Sequence, residues 1–296
     1  MKKKTPKSKD AATRSLNCDE IMNVYICTDL EAVAGVIDSL NWCYPDGRYF
    51  DAAKELLTLE TNAAIEGFLA AGAERIVVCD GHGWGGIDPR KLHPDAELLA
   101  GTFSYVKYPL GLDGGFDVFA WVGQHAMAGT PYGHLAHTGS YHVLEATFNE
   151  TPIGEIGQFA YVAAELGVRP IFLSGDRAGC EEASALIPGI ETVTVKEGLS
   201  AFQGLELTTE EAQKAFTAAR HLSSQTARER IRERAEHALR RAKEDVNMGR
   251  LELPLPPYSL KSVNRRGKDG EPGKVVFRSH PDSFIGAINA KYEVQA

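Results

Sequence analysis

Short apolar runs alternate with longer amphipathic stretches along most of the chain. Val24–Cys27, Arg75–Cys79, Val118–Val122, Pro170–Leu173 and Thr192–Val195 are brief and rich in β-branched and aromatic residues, and they read as strands. Asp51–Ala71 has helical periodicity and stops at Gly72. Gly154–Leu166 is a second helix, closed by Gly167, and Glu181–Leu186 a third. Strands and helices in this alternation predict an α/β fold with a mostly parallel sheet covered on both faces.

The pattern changes at Thr208. Thr208 and Thr209 precede Glu210 and Glu211, an N-cap followed by first-turn acids. A charged, alanine-rich stretch then runs to about Asp245 and reads as a helix with a solvated face. Residues 206–247 therefore form a charged helical segment closing a domain of residues 21–250. Beyond it, LPLPPY and NRRGKDGEPGK read as linker and loop, and VVFRS as one more strand. Residues 251–296 stand as an extension whose structure the pattern does not reveal. The start, MKKKTPKSKDAATRS, is basic without an apolar stretch behind it, so residues 1–20 read as a disordered tail rather than a secretory signal.

Composition narrows the function. Apolar content of 43% and charged content of 24% fit a globular protein, and no run reaches the roughly 20 apolar residues of a membrane span. A net charge of −8 argues against nucleic acid as a partner. The five cysteines form no CxxC pair, and Cys27 and Cys79 lie in strands, so buried free thiols in the cytoplasm are expected. No cysteine has neighbours in sequence that mark it as catalytic.

Candidate chemistry follows the strands. The first ends in Thr28-Asp29-Leu30-Glu31, the second in Asp80-Gly81-His82-Gly83, the third in Gly123-Gln124-His125. A parallel sheet presents its strand C-termini along one edge, so two carboxylates and two imidazoles distant in sequence are expected to converge. Asp29 and Glu31 are two apart and share one face of an extended segment. Carboxylates so close repel unless a proton or cation lies between them. Carboxylate and imidazole together are zinc-type ligands. Asp80 suits either of two roles, orienting a ligand histidine or capping its own loop.

TDLEAVAG, TLETNAAIEG, AGAERIVVCDGHG, GLDGGFDVFAWVGQHAMAG, AHTGS, PIGEIG, LSGD and TVKEG follow one another in an order that resembles the M55 family of zinc D-aminopeptidases, from Val24 to about Asp245. The resemblance implies a three-layer α/β fold, two zinc ions per subunit, a short-peptide or small-molecule substrate, and a ring-like homo-oligomer, often a decamer. It assigns Asp29, Glu31, His82, His125 and Glu155 as metal ligands, Glu155 on this ground alone. It makes His137, in AHTGS, an active-site residue that donates a proton or stabilises the oxyanion rather than holding metal. The implied reaction is attack of metal-activated water on an amide carbonyl, with Asp29 bridging the ions.

The chain departs from the family pattern at Ala32, Gln124, Gly86-Ile87-Asp88 and Ala201-Phe202. These departures keep open a second reading, a metal-dependent hydrolase of a non-peptide amide. A third reading, a nucleotide-binding module cradling phosphate with GHGWGG, lacks both GxGxxG and a Walker lysine.

Overall fold

The computed structural model describes residues 22–101, 107–268 and 270–295; the expected tail, 1–20, and Cys18 lie outside them. Seven strands form the main sheet: β1 (Met22–Thr28), β2 (Ala73–Asp80), β3 (Ala96–Leu99), β4 (Val118–Gln124), β7 (Arg169–Asp176), β8 (Glu191–Gly198) and β9 (Ala219–His221). Their order is β3-β2-β1-β4-β7-β8-β9. All neighbours are parallel except the β8–β9 pair. The chain lays β2 on one side of β1 and later β4 on the other. Strand order therefore reverses at β1/β4, the crevice where open α/β sheets bind ligands.

Alternation along the strands sorts side chains into two cores. Val24 and Ile26 face α2 (Phe50–Ala70) and α6 (Ser224–Glu244), packing with Phe68, Ile231 and Leu239. Tyr25, Phe119 and Trp121 face the other way, onto Ile156, Phe159 and Val162 of α3 (Glu155–Glu165) and onto Cys180 and Ala183 of α4 (Arg177–Leu186). The rings of Phe119 and Phe159 stack with centroids 5.3 Å apart. Three layers result, as the alternation and the resemblance lead one to expect. Each large apolar side chain buried this way contributes roughly 1.5–3 kcal/mol.

The charged helical segment is not one helix. It resolves into α5 (Thr209–Lys214), the edge strand β9, and α6. Thr208 caps α5 in a reciprocal box with Glu211. Ala219–His221 is too short to carry a periodic signal, and its conformation comes from pairing with Lys196–Gly198 of β8.

The segment after Gly249 completes a second, antiparallel sheet of order β12-β11-β10-β5-β6. Its strands are β5 (Val143–Phe148), β6 (Thr151–Pro152), β10 (Tyr258–Asn264), β11 (Val275–His280) and β12 (Glu293–Gln295). β10 pairs with β5 from within the 21–250 region. Tyr258, Leu260 and Phe284 of α7 (Phe284–Ile288) join the same core as α3.

Candidate metal centre

Four chain segments deliver ligand-type side chains to the crevice. Asp29 and Glu31 follow β1, His82 follows β2, His125 follows β4, and Glu155 opens α3 after the N-cap Gly154. The first four are at most 9% exposed. Backbone contacts lock the β1 and β4 ends together. Asp29 N–H donates to Val122 O at 2.9 Å and Ala32 N–H to Gly123 O at 3.0 Å. Gly123 has φ +81°, and a Cβ there would lie 2.0 Å from Asp29 O, so only glycine allows this approach.

The geometry brings together all the residues named from sequence. His82 Nε2 lies 3.4 Å from Glu31 Oε1. His125 Nε2 lies 3.3 Å from Asp29 Oδ2 and 3.5 Å from Glu155 Oε1. His137 Nε2 is 3.9 Å from Glu155 Oε1, and its ring stacks between those of His125, at 4.1 Å, and Tyr141, at 4.5 Å. Among the described residues, three groups hold their ligand atoms within 4.8 Å of one another: Glu31/Cys43/His82, Asp29/Glu31/His125 and His125/His137/Glu155. His137 thus lies within ligand spacing of His125 and Glu155.

Charge balance accounts for the titration behaviour. Burial, with the Glu31 carboxylate adding to it, pushes Asp29 up to about 7. Burial pushes Glu31 upward too, but His82 outweighs it and holds Glu31 well below the usual range. Burial disfavours a charged His82, yet Glu31 prevails and raises it to about 9. The same contest, with Glu155 and Asp29 as partners, raises His125 well above its usual value. Burial and then the His125 charge lower His137. The carboxylates demand positive charge, and protonated imidazoles or divalent cations both meet that demand.

Zinc fits the donor set. Glu31 Oε2 and His125 Nε2 are buried without a hydrogen-bond partner, and a buried ligand atom left unpaired is costly unless something binds it. His125 Nδ1–H donates to Ala126 O at 2.9 Å, which leaves the Nε2 lone pair for a metal. Gln124 Nε2–H donates to Asp29 Oδ2 at 3.2 Å and Gly139 N–H to Glu155 Oε1 at 2.7 Å, so two of the carboxylates are oriented by donors.

Asp80 takes the loop-capping role: it accepts from Gly86 N–H at 2.6 Å and Ile87 N–H at 3.1 Å. The last amide of GHGWGG, that of Gly86, and the Ile87 amide after it are thereby committed to Asp80. Two residues near the centre have no signal in local sequence. Cys43 reaches Glu31 and His82 only through the fold. Lys196, buried under the β1 loop, donates from Nζ to Glu31 O and to Val36 O at 3.0 Å. The TVKEG block contains it, but nothing in that block marks its partners. A cavity of about 530 Å³ opens beside the centre, beyond Met127 and Gly154, and none of the six predicted residues lines it. The convergence of ligand-type side chains, rather than cavity size, marks the candidate site.

Residues 22–261 match the model of the M55 peptidases, described as D-aminopeptidase. A curated D-aminopeptidase from Bacillus subtilis (strain 168) is 31% identical over 180 residues, covering 60% of this chain. The match spans 65% of that relative's own length, a little under two thirds. A solved zinc-dependent D-aminopeptidase from Bacillus subtilis, a self-compartmentalizing protease, superposes with a TM-score of 0.74 at 26% identity. That superposition covers 90% of this chain and 94% of the other.

Proposed function

The chain belongs to the M55 peptidase family of D-aminopeptidases, and from that premise we propose a zinc-dependent aminopeptidase acting on short peptides or amides with an N-terminal D-amino acid. The observation that carries this reading is the meeting of Asp29, Glu31, His82, His125 and Glu155 around two buried, unpartnered ligand atoms. These five residues would hold two zinc ions per subunit. Asp29 would hold metal together with Glu31 and His125, whose ligand atoms lie within 4.8 Å of its own. When bound, zinc polarises an amide carbonyl and makes water acidic near neutral pH.

The chain's own residues then move the proton. His137 Nδ1–H donates to Leu135 O at 3.0 Å, which leaves a lone pair on Nε2. In the proposed reaction that Nε2 takes a proton from the attacking water and returns it to the departing amine. Glu155 holds the His137 loop in place through Gly139 N–H. Four buried free thiols among the described residues fit a reducing compartment, which supports a cytoplasmic enzyme. Self-compartmentalization in the relative supports a closed homo-oligomeric ring here, built on a heterologous interface and extending to a decamer.

The test combines metal analysis with kinetics. Metal-replete protein should hold close to two zinc ions per subunit and cleave D-aminoacyl amides in preference to L-aminoacyl and non-peptide amides. His137→Ala should retain both ions while turnover falls about 10²–10⁴-fold. His82→Ala or His125→Ala should lose metal together with activity. Release of zinc from His137→Ala would make His137 a ligand, and near-normal turnover would remove its catalytic role. A preference for non-peptide amides would transfer the substrate assignment to that class.

A further inference from the structure

The geometry points to Cys43 as a metal ligand, joining Glu31 and His82 as a thiolate in one of the two metal positions; this rests on the metal-centre reading above. Cys43 is fully buried, and its Sγ lies within 4.8 Å of ligand atoms of both Glu31 and His82. The second observation is Glu31 itself. Its carboxylate is 4% exposed, and Oε2 has no hydrogen-bond partner. A buried, unpartnered carboxylate oxygen beside a thiol and an imidazole is a donor set that suits a zinc-type cation.

The backbone delivers Cys43 to this place. It caps the C-terminus of the short helix α1 (Ser39–Trp42), with its N–H donating to Ser39 O at 2.8 Å. Asp38 holds the other end by accepting from Asn41 N–H at 2.8 Å. The sulfur's contact with Asp38 O, at 4.0 Å, is long. Cys43 also packs against the apolar core, as buried cysteines commonly do. Cys27, Cys79 and Cys180 are buried and free as well. Among the described residues, Cys43 alone of these thiols groups with carboxylate and imidazole at ligand spacing.

The consequence is that the two metal positions differ. Glu31, His82 and Cys43 form a softer set, whereas His125 and Glu155 supply only nitrogen and oxygen. Sulfur selects for zinc over harder divalent ions, so this position should discriminate more strongly. As the S–metal bond forms, the S–H bond breaks and its proton passes to solvent.

Full-length protein loaded with cobalt tests this directly. Sulfur-to-cobalt charge-transfer absorption is expected in the near ultraviolet, lost in Cys43→Ser and retained in Cys180→Ser. X-ray absorption of the zinc-loaded wild type should independently show a sulfur scatterer at about 2.3 Å, so the test survives if Cys43→Ser does not fold. Two bound ions per subunit with only nitrogen and oxygen neighbours would overturn the thiolate while leaving the metal centre intact. Charge-transfer absorption persisting in Cys43→Ser would overturn it too. Failure to bind zinc or cobalt at all would overturn both readings.

Discussion

His134 shows how a single side chain near the centre can govern stability without taking part in the chemistry. It is fully buried, and its Nε2–H is shared between Ile37 O at 3.1 Å and Thr217 O at 3.3 Å. Nδ1 is buried with no partner. Burial first, and then the neighbouring Lys196 and His221, push His134 down to about 2 from an ordinary 6.5. Asp176 faces it as well, but its carboxylate accepts from the His134 backbone N–H at 3.1 Å. The unfolded chain takes up this proton below 6.5, whereas the folded chain refuses it until about 2. The contribution is therefore complete above pH 6.5 and is lost as pH falls from 6.5 toward 2. We predict that the urea midpoint of wild type drops between pH 7 and pH 5, and that His134→Gln flattens that drop. Parallel pH dependence in the two proteins would contradict the assignment.

Helix packing is set by one small position. α6 buries a stripe formed by Ala227, Ile231, Ala235, Ala238 and Ala242, spaced three and four apart, against α2. Its arginines and glutamates line the opposite face, which accounts for the charged composition of the segment. The two helices touch at Gly67, where an added Cβ would lie 2.3 Å from Arg232 O and 2.9 Å from the Ala235 methyl. Glycine to alanine inside a helix ordinarily stabilises by about 1 kcal/mol. Here the methyl would meet backbone that cannot swing aside, so overpacking of about 1–3 kcal/mol should prevail. Gly67→Ala is expected to lower the urea midpoint, and an increase would show that the helices separate at little cost.

At the scale of the whole molecule, the region after Gly249 is built into the second sheet. β10 pairs along β5, and Tyr258, Leu260 and Phe284 cover Phe148 and the α3 side of the core. The Phe148 ring meets those of Phe284 and Tyr258 at 4.6 and 5.7 Å. A chain ending at residue 250 would expose this apolar surface and leave β5 with an open edge. It should aggregate or lack a cooperative unfolding transition, and a soluble, active 1–250 fragment would mark residues 251–296 as dispensable. The proposed ring predicts a light-scattering mass several times 32.2 kDa at micromolar concentration. A strictly monomeric active enzyme would remove the ring from the proposal.

Much of the main sheet and much of the centre were legible along the chain, because both rest on local patterns. Apolar runs such as Ile76–Cys79 are buried on both faces and carry a signal within a few residues. Parallel strands must end on one edge, so Asp29, Glu31, His82 and His125 were bound to approach one another once β1, β2 and β4 were recognised. Glu155 is different: a first-turn helix carboxylate looks ordinary in isolation, and family resemblance supplied it. β5, β9 and β10 carry little periodicity of their own and exist through pairing with strands far away in sequence. Cys43 and Lys196 likewise have unremarkable neighbours along the chain; a thiol beside Glu31 and His82, or an ammonium under the Glu31 carbonyl, arises only when the β1 loop folds back over the sheet. Periodicity records which side of an element is buried, whereas what a side chain touches there depends on residues brought in from elsewhere.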